Sequence, residues 1–191
     1  MSKDKPDLEL LQWIRNIAPE QVEVLSRQFD EKPDRITNAY KELLSAYSQE
    51  TPDEIISVTE EIEDGSFNGL VSGLSIDFLS FCSHHFLPFF GSVDVLYHPG
   101  SKIIGIGKLS RLVDYRTKRF TIQEHIAKDL CEDLMLYANA KGAFAKVVAK
   151  HTCLCHRGPK KYQSKNVVTY SLGTCASGPM QFQVPSALDG K

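Results

Sequence analysis

Leu74-Ser75-Ile76-Asp77-Phe78-Leu79-Ser80-Phe81-Cys82-Ser83-His84-His85 is the stretch where the chain changes character. Leu74, Ile76, Phe78 and Ser80 alternate with polar or mixed residues, the period of a half-buried strand. That pattern runs straight into a cysteine and two histidines. LPFFG (87–91) follows, then SVDVLYH (92–98), a His-Pro-Gly-Ser turn and KIIGIG (102–107). These segments read as strands joined by turns, most simply an antiparallel meander with His98 as a turn residue.

Upstream the periodicity is helical. Leu10, Leu11, Ile14 and Ile17 share one face, and Pro19 can open a second helix. Ile36, Ala39, Tyr40, Leu43, Leu44 and Tyr47 line a third, with Pro33 suited to its first turn. Downstream, residues 108–120 form a helix with Leu109, Leu112, Val113 and Tyr115 inward and a basic opposite face. A longer helix starts at Thr121, where Thr121 and Glu124 match a capping box. Residues 143–156 alternate as a strand; if it continues, His151, Cys153 and Cys155 share one face. NVVTYSL (166–172) is the last strand. The Ser-, Gly- and Pro-rich tail from Thr174 reads as loosely ordered. The expected class is α+β, a mainly antiparallel sheet with two helices on one face. The expected divisions are a helical extension (1–30), a catalytic domain (31–173) and a tail (174–191).

The 191 residues suffice for one sizeable core. A net charge of −2 argues against a dedicated nucleic-acid binder, although Lys108, Arg111, Arg116, Lys118 and Arg119 cluster. No apolar run is long enough to cross a membrane, and MSKDKPD is not an apolar signal, so a soluble cytoplasmic protein is expected. Five cysteines, two of them in Cys153-Leu154-Cys155, do not read as a secreted disulfide framework.

Cysteine sulfur and histidine nitrogen are the donors zinc favours, and a catalytic zinc keeps three protein ligands and one open position. Cys82 and His85 can grip one ion from a single turn, and Cys153 can come from far along the chain. His84 and His151 are then spare imidazoles for proton transfer. The rival is a closed site in which Cys155 is a fourth ligand. Singly, each of these residues reads as a buried thiol or a core histidine. Cys131 reads as core, Cys175 as an incidental thiol, His125 and His156 as surface or packing residues, and Arg35 as a solvated charge.

CSHHFLPFFG (82–91), IGIGKLSRLVD (104–114), IQEH (122–125), HTCLCHRG (151–158) and SKNVVTYSLG (164–173) together resemble GTP cyclohydrolase I, in order and spacing, from residues 32–40 through 171–173. The resemblance implies a tunnelling fold and a homo-oligomeric ring, typically a decamer, with active sites between subunits. It implies zinc on Cys82, His85 and Cys153, with His84 and His151 moving protons. It implies that Gln123 and Glu124 hold a guanine edge, and that Lys108, Arg111, Arg157 and Arg35 bind triphosphate. The implied reaction is attack of a metal-activated water on C8 of GTP, loss of formate and closure to 7,8-dihydroneopterin triphosphate, the entry to tetrahydrofolate and other pterins. For Glu124 the capping box is the competing role.

The chain departs from the family pattern in four places. Ser83 stands where glutamate is usual, and Gly107 where serine often precedes the lysine. Asn166 and Val168 replace hydroxyl residues, and the usual C-terminal helix is not evident in residues 177–191. These departures keep open a divergent enzyme of the same fold acting on GTP or another purine, including one serving deazapurine synthesis or stopping at a ring-opened intermediate. A non-catalytic zinc-binding subunit is the third reading, and the spare imidazoles argue against it.

Overall fold

The computed structural model describes residues 8–189 apart from 33, 49, 58, 64 and 65; the expectation for Pro33 lies outside them. The chain forms two compact units, dividing between Leu43 and Leu44. The first holds α1 (Leu8–Ile17), α2 (Val22–Glu31) and α3 (Asp34–Leu43). Pro19 opens a 3-10 turn ahead of α2. Ile14 is buried, while Trp13, Ile17 and Val24 stay exposed.

The second unit runs α4 (Pro52–Ile56), β1 (Thr59–Glu61), β2 (Val71–Cys82), β3 (Pro88–His98), β4 (Lys102–Ile104), α5 (Ile106–Thr117), β5 (Phe120–Thr121), α6 (Gln123–Tyr137), β6 (Gly142–His151), α7 (Thr152–Cys155), β7 (Asn166–Gly173), α8 (Thr174–Ser177) and α9 (Val184–Asp189). The main sheet has the order β5-β2-β3-β6-β7. Its pairs are antiparallel except β5, which lies parallel to β2, and β1 and β4 form a separate antiparallel pair. The class is α+β, as expected. No described helix is long and apolar enough to cross a membrane.

Strand alternation sorts the residues. Phe78, Phe89, Val93, Val95 and Tyr97 face Leu109, Leu112 and Val113 of α5 and Ile126, Leu130 and Leu134 of α6. Phe78 and Phe89 meet edge to face, centroids 5.8 Å apart. Cys131 is core, as expected. Arg116, part of the basic run, is committed to structure. Its Nε and Nη2 donate to the two carboxylate oxygens of Asp133 at 2.7 and 2.5 Å, tying α5 to α6. Desolvation disfavours the Arg116 charge, but Asp133 and, farther off, Asp129 outweigh it, and the guanidinium pKa moves up.

Two expectations change. Residues beyond Gly173 form α8, a 3-10 turn at Pro179–Phe182 and the six-residue α9. Cys175, Met180 and Val184 cluster with Leu96, whose neighbour Val95 faces α5 and α6, so this segment covers the opposite face of the sheet. Burial pushes the Cys175 thiol up to about 11. His98 is not a turn residue. It ends β3, is buried, and its Nδ1 lies 3.0 Å from Thr174 Oγ1.

Tyr97 fixes the approach to α5. Its hydroxyl is buried and accepts the Ile104 N–H at 2.7 Å, and burial raises its pKa, so it stays a neutral phenol. Tyr97→Phe strands that N–H. The expected loss is about 1–3 kcal/mol, read as a lower urea midpoint at unchanged slope. An unchanged midpoint would mean that this bond does not hold β4.

Candidate active site

Strand order brings three distant segments to one corner. β2 ends on Cys82, β6 ends on His151, and β3 lies between them. Phe81 pairs with Pro88, and Phe89 with His151. The parallel pairing sets Cys82 beside Thr121, and Ser83 N–H donates to Thr121 O at 3.1 Å. The first turn of α6, with Gln123 and Glu124, therefore starts next to the β2–β3 turn.

That turn is tight. The N–H groups of His85 and Phe86 both donate to Cys82 O, at 3.2 and 2.8 Å. Phe86 has φ of 55°, a left-handed conformation that bulky residues rarely adopt. The Phe86 ring packs on Phe120, centroids 4.7 Å apart. Within the loop, Cys82 Sγ lies 3.8 Å from both His84 Nδ1 and His85 Nδ1.

β6 does not continue through Cys155. The chain turns into the short α7, and Thr152 Oγ1 donates to Pro88 O at 2.7 Å, anchoring that turn to the start of β3. Cys153 and Cys155 are then about 200° apart around a helix rather than on one strand face. The ligand atoms of Cys82, His85 and Cys153 lie within 4.8 Å of one another. Cys155 is buried and outside that group. A tetrahedral zinc, with bonds of about 2.0–2.3 Å, holds its ligand atoms about 3.3–3.8 Å apart. Two thiols and an imidazole at this spacing fit such an ion after a small contraction. Burial and the neighbouring Cys82 push the Cys153 thiol up, against the pull of Arg157. A bound cation would reverse that balance.

His151 is partly buried and stacks on Phe89, centroids 4.4 Å apart and planes 5° from parallel. Burial lowers its pKa, and the charge of Glu124 opposes this. The expected capping box is absent: strand pairing holds Thr121 in β5, Ile122 is the N-cap of α6, and no side chain caps it. Glu124 is left as an exposed carboxylate. Gln123, expected at a guanine edge, is 2 % exposed. Its Nε2 donates to Val147 O at 2.8 Å and Asn166 O at 3.0 Å, and its Oε1 lies 3.0 Å from His151 Nε2.

The expected phosphate cations are more scattered. Lys108 and Arg111 stand three apart on α5, on one face. Arg111 lines a cavity of about 400 Å³ with Ser48, Glu50, Ile55 and Asp114, which includes no cysteine or histidine. Arg157 is exposed just beyond α7, and its charge reaches Cys153. Arg35 is an exposed residue of α3 in the first unit. A Cβ on Gly107 would meet nothing within 4 Å, so the family's serine would fit there. Phe89 and Thr152, which position His151 and Cys153, carry no chemistry of their own and give no signal in the sequence.

The family described as GTP cyclohydrolase I matches residues 13–183. The chain is 39% identical over 137 residues to GTP cyclohydrolase 1 of Wolinella succinogenes, covering 72% of each. It is 37% identical over 147 residues to that of Streptococcus sanguinis, covering 77% of this chain and 78% of the relative. The Fusobacterium nucleatum relative of the same name is 34% identical over 146 residues, 76% of each. Among solved structures, the apo archaeosine synthase QueF-Like aligns with TM-score 0.45 and 21% identity, over 56% of this chain and 97% of that one. Matched over nearly its whole length by the family and over about three quarters of it by these relatives, the chain belongs to the GTP cyclohydrolase I family of enzymes.

Proposed function

We propose that the protein is a zinc-dependent enzyme that opens GTP at C8, releases formate and forms 7,8-dihydroneopterin triphosphate. The observation that carries this reading is the convergence of the Cys82, His85 and Cys153 ligand atoms within 4.8 Å, with His84 Nδ1 3.8 Å from Cys82 Sγ. Cys82, His85 and Cys153 would hold zinc, which when bound supplies a Lewis acid and a water of lowered pKa. Glu124 accepts two N–H bonds from the guanine edge, a pattern adenine does not offer. Lys108, Arg111 and Arg157 bind triphosphate, the arginines in bidentate geometry. His151 takes up the proton that the attacking water releases and passes it to a purine ring nitrogen, and His84 moves protons in the later ribose steps. The unit from Leu44 onward carries this chemistry, and the enzyme works in the cytoplasm as a homo-oligomeric ring with sites between subunits. The exposed Phe86 and Phe90 near the site support a covering neighbour.

The test is turnover of GTP by the zinc-loaded protein, with formate and the pterin followed together by mass spectrometry. Both products are expected. A ring-opened product without pterin would limit the reaction to its hydrolytic half, a result that Ser83 and Gly107 would make worth reverting. Unchanged GTP with metal bound would overturn the reading.

A further inference from the structure

The amide of Gln123 can face only one way. Its Nε2 carries two hydrogens, and Val147 O and Asn166 O, at 2.8 and 3.0 Å, can only accept. A reversed amide would set Oε1 against two carbonyl oxygens at those distances. Oε1 therefore faces His151 Nε2 at 3.0 Å, and since Oε1 has no hydrogen, the shared one belongs to His151. A neutral imidazole has one N–H, so its lone pair is on Nδ1. Flipping the ring would break this bond, and the parallel Phe89 ring, 4.4 Å away, holds its plane. Among the described residues no buried side-chain nitrogen or oxygen lacks a partner and none pairs with Nδ1, so Nδ1 is open to solvent there.

We infer that Gln123 is a positioning residue that does not touch the substrate: it fixes His151 as the Nε2–H tautomer and leaves Nδ1 as the atom that exchanges protons in the site. This rests on the proposed role of His151 in GTP ring opening and reassigns Gln123 from the guanine edge. One side chain satisfies two carbonyls on neighbouring strands and sets the face that a reacting imidazole presents.

Two readouts test it. The first is the ¹⁵N and ¹H spectrum of the His151 ring in the metal-loaded wild type, recorded at a pH high enough to keep the imidazole neutral. A slowly exchanging proton on Nε2 is expected; protonation at Nδ1, or no retained ring proton, would overturn the inference. This readout needs neither turnover nor a variant, so it stands apart from the outcome with GTP. The second is Gln123→Leu, with Gln123→Met if the leucine variant does not fold, each checked for wild-type metal content. The expected result is loss of the protected Nε2 proton and a kcat about 10–100-fold lower, with KM for GTP within about threefold of wild type. A raised KM at unchanged kcat would return Gln123 to the substrate and overturn the inference.

Discussion

Cys153→Ser is expected to fold but to retain almost no metal and no measurable turnover, whereas Cys155→Ser keeps both. The two cysteines are two residues apart and both buried, so neither burial nor composition separates them. Geometry does. Thr152 fastens the chain to Pro88, and the helical turn that follows carries Cys153 toward Cys82 and His85 and leaves Cys155 out of the group. A serine hydroxyl is a poor replacement for thiolate on zinc, and a catalytic site has only three protein ligands to lose from. Bound zinc, measured by elemental mass spectrometry, should fall from about one ion per chain to under about a tenth. The core between the sheet and its two helices is apolar packing that does not include Cys153, so near-native circular dichroism is expected. If Cys155→Ser lost the metal and Cys153→Ser kept it, the third ligand would move to Cys155 and α7 would have to be placed differently. If neither variant lost metal, the proposed centre would fall.

How much of this was legible in the sequence depends on whether the signal was local. The alternation from Leu74 to Ser80 and the apolar spacing through α5 and α6 are local, and they gave the α+β class and most of the core correctly. The pairing of Cys82 and His85 is local too, since one turn contains both. Cys153 was a candidate by its chemistry and was preferred to Cys155 through the family pattern, but its approach is not local, because it depends on β3 lying between β2 and β6. Expectations failed where a tertiary contact overrode a local motif. Thr121 and Glu124 fit a capping box, but pairing with Cys82 draws Thr121 into a strand. The alternation through Cys155 fits a strand, but Thr152 turns the chain. The Ser-, Gly- and Pro-rich tail lacks helical periodicity, yet Leu96 offers an apolar face that Met180 and Val184 cover. Gln123 was assigned to the guanine edge through the family pattern alone, and its bonds to Val147 and Asn166, 24 and 43 residues away in sequence, were beyond any local reading.

His84→Ala separates the ligand from the proton carrier, which distance alone does not do. Cys82 Sγ stands 3.8 Å from Nδ1 of both His84 and His85. What distinguishes them is the third atom: His85, not His84, forms a mutually close group with Cys153. His84 is exposed in the turn, adjacent to that group without completing it. The variant is therefore expected to bind zinc as the wild type does and to melt at a similar temperature. Loss of a general acid or base lowers kcat by about 10²–10⁴-fold. KM should change little, because Glu124 and the proposed phosphate cations are untouched. His85→Ala should instead lose the metal together with activity. Loss of zinc from His84→Ala would exchange the roles of the two histidines. Retention of zinc with near-wild-type turnover would leave His151 to move every proton. The decisive comparison is thus metal content against kcat across the two variants, because a ligand lowers both and a proton carrier lowers one.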